Sequence, residues 1–66
     1  MNLDQLKGNW KQLKGKIKSE FGDLTDDEVM EAEGEAERLA GIVQKKYGLT
    51  KEEAEDKVDA FAKKHS

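Results

Sequence analysis

Cysteine and proline are absent from this 66-residue sequence, and histidine occurs once, at the penultimate position. Without Cys there is no disulfide, no thiolate zinc site and no thiol nucleophile, a pattern compatible with a reducing compartment. Without Pro, nothing along the chain forbids helix. Long apolar runs are missing as well. The opening MNLDQLKGNWK lacks the hydrophobic stretch of a signal peptide, and no segment approaches the roughly 18 apolar residues of a membrane-spanning helix. The expectation is a cytoplasmic protein with no membrane association.

Charge is plentiful instead. Charged residues make up 41% of the chain, with 12 basic against 15 acidic side chains, for a net charge of −3. Mean hydropathy is −0.96, a composition close to that of disordered chains. The length allows one domain, residues 1–66, and a chain this short buries only about 60% of the surface its unfolded form exposes. With neither disulfide nor thiolate metal site to staple it, stability must come from helix packing, oligomerisation or a partner.

The case for folding lies in the arrangement of the apolar residues. Leu3, Leu6, Trp10, Leu13, Ile17 and Phe21 follow at spacings of 3, 4, 3, 4 and 4, which places them in one stripe of an amphipathic helix. Adding 26 to each number gives Val29, Ala32, Ala36, Leu39, Val43 and Tyr47, and the glycines obey the same shift: Gly8, Gly15 and Gly22 return as Gly34, Gly41 and Gly48. The chain thus reads as an internal 26-residue repeat. Gly22 and Gly48 each follow an aromatic at the end of a stripe, where a left-handed glycine caps a helix. Next come Leu24-Thr25-Asp26-Asp27-Glu28-Val29 and Leu49-Thr50-Lys51-Glu52-Glu53-Ala54, each a hydrophobic staple with a T-x-x-E capping box. Ala54, Val58 and Phe61 continue the helical spacing, and His65 falls in a fraying end. The predicted helices run from about residue 3 to 21, 26 to 47 and 51 to 64, with Gly34 a point at which the middle one could split. Short connections make consecutive helices pack as hairpins, so the expected fold class is all-α, a small bundle of three or four helices.

Catalytic chemistry has little to work with. A Ser-His-acid arrangement would need Ser19 or Ser66 with the terminal His65, and Thr25 and Thr50 are explained as caps. No catalytic residue, cofactor site or metal site is expected. The acidic run Glu20, Asp23, Asp26, Asp27, Glu28, Glu31, Glu33, Glu35 and Glu37 does not make a calcium loop. Its best frame, Asp23 to Gly34, ends in Gly where an EF-hand requires Glu, and acids near a helix start explain it better. Lys7, Lys11, Lys14 and Lys18 flank the first stripe and form the candidate interaction surface. A nucleic-acid or anionic-membrane role is disfavoured by the negative net charge and the acidic segment that follows, and the flank reads as a solvated face opposite the acidic start of the next helix. Trp10, in the middle of the stripe, is expected in the core, where its loss would cost roughly 3–5 kcal/mol. Gly8, Gly15, Gly34 and Gly41 lie nearly opposite their stripes, and each costs about 1 kcal/mol relative to Ala. Built-in plasticity and close approach of another backbone both account for them.

The segments Gly8-Asn-Trp-Lys-Gln-Leu-Lys-Gly-Lys16 and Phe21-Gly-Asp-Leu-Thr-Asp-Asp27, with the weaker pattern at Gly41, Tyr47, Gly48, Lys51 and Ala54, resemble the CsbD-like family of small bacterial stress-response proteins across nearly the whole chain. The resemblance implies a compact all-α fold and production under general stress, and it implies no reaction and no set of functional residues. Two functions follow as expectations. One is a non-enzymatic hydrophilic protectant acting by weak interactions. The other is a small protein-binding adaptor, with nucleic-acid binding through the Lys flank ranked below it. The protein is expected to be a monomer or a weak homo-oligomer, and its protein partner, if it has one, is not named by the sequence.

Overall fold

The computed structural model describes residues 7–65. Among the described residues four helices with defined bounds follow one another: α1 (Trp10–Glu20), α2 (Asp26–Ala32), α3 (Ala36–Tyr47) and α4 (Lys51–Lys64). No strand occurs among the described residues. Each helix packs on its neighbour in sequence, α3 with α4 most extensively, and Phe21 meets Phe61 at a centroid separation of 6.0 Å, which ties the end of α1 to α4.

Local sequence sets most of the boundaries. At α2 the Glu28 N–H donates to Thr25 Oγ1 (3.1 Å) while the Thr25 N–H donates to Glu28 Oε1 (2.9 Å). Thr50 and Glu53 repeat this exchange at α4, at 3.1 and 3.0 Å. Both capping boxes are therefore present, and four otherwise orphaned amides are satisfied. Leu24 just ahead of the first box and Val29 just after it are both buried, which completes the staple. At the end of α3, Gly48 is left-handed (φ 63°), and the Leu49 N–H reaches back to the Gln44 carbonyl at 3.0 Å, the six-to-one bond of a Schellman-type stop.

Two other glycines behave differently from the expectation. Gly22 has no positive φ. The chain leaves α1 through Phe21 at φ −114°, and the Leu24 N–H closes onto the Phe21 carbonyl at 3.0 Å, so this turn needs no left-handed residue. Gly34 does split the predicted 26–47 helix: Glu33 (φ 52°) and Gly34 (φ 77°) are both left-handed. Nor does Gly34 lie on an open face. It is buried, and an added Cβ would sit 3.2 Å from Lys7 Cα and 3.6 Å from Trp10 Cβ. Close approach of another backbone explains this glycine. Gly8, Gly15 and Gly41 border open space.

The core follows the predicted stripes at their centres. Leu13 and Ile17 of α1, Val29 of α2, Leu39 and Val43 of α3, and Val58 and Phe61 of α4 are buried. Ala32, Ala36, Ala40 and Ala54 join this core, and Ala62 is buried as well. The ends of the stripes are less enclosed. Trp10 is partly buried and packs on the margin of the core rather than at its centre, because it is the first residue of α1. Tyr47 is 37% exposed, and Leu3 and Leu6 lie outside the described residues. The 26-residue repeat remains a property of the spacing: α1 and α3 begin 26 residues apart, at Trp10 and Ala36, but α3 ends on a left-handed Gly48 whereas Gly22 has no positive φ.

Substitutions at the caps should separate these cases in thermal melts. Thr25→Ala and Thr50→Ala are each expected to destabilise by about 1 kcal/mol. Gly34→Ala and Gly48→Ala should cost about 1 kcal/mol or more through left-handed strain, with Gly34 the worse of the two because of Lys7. Gly22→Ala is expected to stay within about 0.5 kcal/mol of the parent.

Candidate functional site

The Lys flank occupies one face of the α1 region, and the structure divides it. Lys18 Nζ lies 2.5 Å from Asp26 Oδ1 at the start of α2, and Lys7 Nζ lies 3.7 Å from Glu35 Oε1 just before α3. Lys11 is exposed and Lys14 partly buried. The two outer lysines thus face acids across the chain, the arrangement expected of a flank opposite an acidic helix start. Beside them, Gly15 and Val29 border a shallow notch in which Met30 stands 59% exposed.

The acidic run is tied to bases at several points. Arg38 pairs with Glu33 (3.4 Å), Lys64 with Glu20 (3.6 Å) and Lys46 with Glu28 (3.0 Å). Most of these pairs are solvated and contribute little individually. Glu28 is the exception in design: its Oε1 accepts both the Thr25 N–H and the Lys46 ammonium, so one carboxylate joins the N-cap of α2 to the last turn of α3. The Thr25 amide and Lys46 hold the Glu28 carboxyl below its ordinary value of 4.5, and hydrogen bonds from the Thr50 amide and hydroxyl lower Glu53 in the same way. Among the described residues no group of three or more His, Asp or Glu side chains is placed to hold a metal ion.

Ser19 and His65 line one small surface depression with Glu20. No hydrogen bond joins them, and the imidazole instead lies against Phe61, with ring centroids 4.5 Å apart and the planes tilted by 51°. Sequence reasoning also missed the link from the Asp23 N–H to the Tyr47 hydroxyl (3.2 Å), which spans 24 residues and leaves no local signal. No described helix is long and apolar enough to cross a membrane.

The sequence profile of the CsbD-like family matches residues 4–56. The chain belongs to the CsbD-like family. Among its relatives, a UPF0337 protein of Bordetella pertussis is 56% identical over 61 residues, 92% of each chain, and one of Pseudomonas aeruginosa is 55% identical over 62 residues, 94% of this chain and 95% of its own. The UPF0337 protein YjbJ of Escherichia coli K12 is 48% identical over 58 residues, 88% of this chain and 84% of its own. These names give a family and no reaction. No solved structure matches the CsbD-like chain significantly.

The depressed carboxyls make a pH prediction with a definite sign. A carboxyl whose folded pKa is lowered contributes stability that is fully present above its unfolded value and is lost as pH falls through the folded value. Melting temperature should therefore hold above pH 4.5, the ordinary value of both groups, and fall below it. Glu28→Gln with Glu53→Gln should melt lower at neutral pH and show a shallower acid limb. An unchanged limb in the double variant would remove these carboxylates from the acid response.

Proposed function

We propose that this CsbD-like chain is a non-enzymatic bacterial stress-response protein, a hydrophilic cytoplasmic protectant that acts on other macromolecules through weak interactions. The observation that carries this reading is the pair Gly15 and Gly41. Both lie inside helices, and an added Cβ would meet nothing within 4 Å at either. Packing therefore does not call for glycine there, yet each lowers helix stability by about 1 kcal/mol relative to Ala. In a domain whose total stability is small, that loss leaves the fold easy to loosen and re-pair as water activity changes. Family membership supports the stress context, and the strongly charged surface suits a protein that must stay dispersed.

A second reading, a small protein-binding adaptor, draws on the exposed Met30 beside Lys14 and Lys18. It is separable by pull-down from stressed cells, where one stoichiometric partner favours the adaptor and a diffuse set favours the protectant. Nucleic acid fits less well, because Lys7 and Lys18 already face carboxylates and the acidic segment repels phosphate. Binding in physiological salt is expected to be absent. Salt-sensitive binding lost on replacing Lys7, Lys11, Lys14 and Lys18 would overturn that.

The protectant reading is tested by Gly15→Ala and Gly41→Ala, each expected to stabilise by about 0.4–1 kcal/mol. Protection of a drying enzyme should weaken in parallel. Stabilisation with protection unchanged would count against plasticity as the working principle.

A further inference from the structure

With no cysteine in the chain, its sulfur is all thioether sulfur, carried by Met30 and Met1. Met1 lies outside the described residues. Met30 sits in the last turn of α2 and at 59% is the most exposed of the large apolar side chains described. It borders a notch of about 300 Å³ with Lys14, Gly15, Lys18 and Val29. Gly15 adds no side chain there, and a Cβ at that point would meet nothing within 4 Å. Solvent therefore reaches the thioether, and no thiol competes with it for an oxidant.

The fold makes little use of this side chain. What α2 gives to the core comes from Val29, 3% exposed, and Ala32, which is fully buried. The start of the helix is held by the Thr25–Glu28 capping box. At its end the Glu33 N–H donates to the Met30 carbonyl at 3.1 Å, a backbone bond that does not involve the sulfur. Methionine oxidation does its damage by placing a polar oxygen in a core or an apolar interface. At Met30 that oxygen would stand in water. Exposure thus makes the sulfur reactive and its oxidation harmless to the fold.

We propose that Met30 is a reversible two-electron oxidation site, at which hydrogen peroxide is reduced to water while the fold stays intact. A sulfur lone pair attacks one peroxide oxygen, and the S–O bond forms as the O–O bond breaks. The second oxygen leaves with its electron pair, takes the proton from the first and departs as water. The thioether loses two electrons, the peroxide gains them, and the product is the sulfoxide. A sulfoxide reductase supplied with a dithiol reverses the change: the oxygen leaves as water and the dithiol becomes a disulfide. This property is separate from plasticity at Gly15 and Gly41 and does not rest on it.

Peroxide treatment of the full chain, followed by peptide mass mapping to separate Met30 from Met1, tests the proposal. Met30 should gain one oxygen in the folded protein at a rate within about threefold of its rate in urea. The oxidised chain should melt within about 3 °C of the parent. The two epimer-specific methionine sulfoxide reductases, with dithiothreitol, should then remove the oxygen without unfolding. Met30→Leu should melt like the parent and consume about one equivalent less of peroxide per chain. Because that variant leaves Gly15 and Gly41 in place, the outcome is independent of the drying assay. Oxidation of Met30 more than about tenfold slower in the folded chain than in urea would overturn the proposal. So would a fall in melting temperature on oxidation that peroxide-treated Met30→Leu does not share, or a sulfoxide that both reductases leave in place.

Discussion

Everything in this fold turns on the left-handed corner at Glu33 and Gly34. A continuous helix over residues 26–47 would measure about 33 Å, whereas the greatest extent of the structure is 27 Å. A single rod could not lay both its halves on one small core. The corner breaks the rod, and the cost is real, since a left-handed conformation is unfavourable by roughly 1–2 kcal/mol for a residue with a Cβ such as Glu33. Burial of Ala32 and Ala36 on either side offsets it. Gly34 then lets the Lys7 backbone pass where a side chain would intrude, so the break in one part of the chain also positions another.

What could be read in the sequence was what the chain decides locally. Thr25 and Thr50 announced their capping boxes because both partners of each hydrogen bond lie within four residues. Gly48 announced its stop for the same reason. Gly22 looked identical in pattern, yet the turn there closes through a bond from Leu24 to Phe21, and spacing alone does not distinguish the two exits. Gly34 was grouped by periodicity with Gly8 and Gly41, and only the tertiary approach of Lys7 sets it apart. The apolar stripes located the core correctly at Leu13, Ile17, Leu39 and Val43 but overstated it at Trp10 and Tyr47, which stand at the ends of α1 and α3.

The surface was legible in kind and not in pairing. A basic flank before an acidic run suggested that the two face each other, and Lys18 with Asp26 bears this out. Glu28 reaching Lys46, and Tyr47 receiving the Asp23 amide, depend on how α3 returns past α2. The aromatic contacts are hidden for the same reason: the rings of Phe21, Tyr47 and Phe61 come from three helix regions far apart in sequence. This CsbD-like chain therefore carries its architecture in short-range signals and its surface chemistry in long-range ones.

The buried alanines have a consequence for how the helices meet. Methyl groups at Ala32, Ala36, Ala40, Ala54 and Ala62 keep side-chain volume between the rods to a minimum. Interaxial distances here should lie near the short end of the usual range of about 8–10 Å. At that spacing the backbones themselves become neighbours, and attraction rests on many close contacts between small groups rather than on a few large side chains. Sliding one helix by a turn would drive Leu39 or Val58 into space that holds a methyl, so the smallest side chains in the molecule are the ones that fix its alignment.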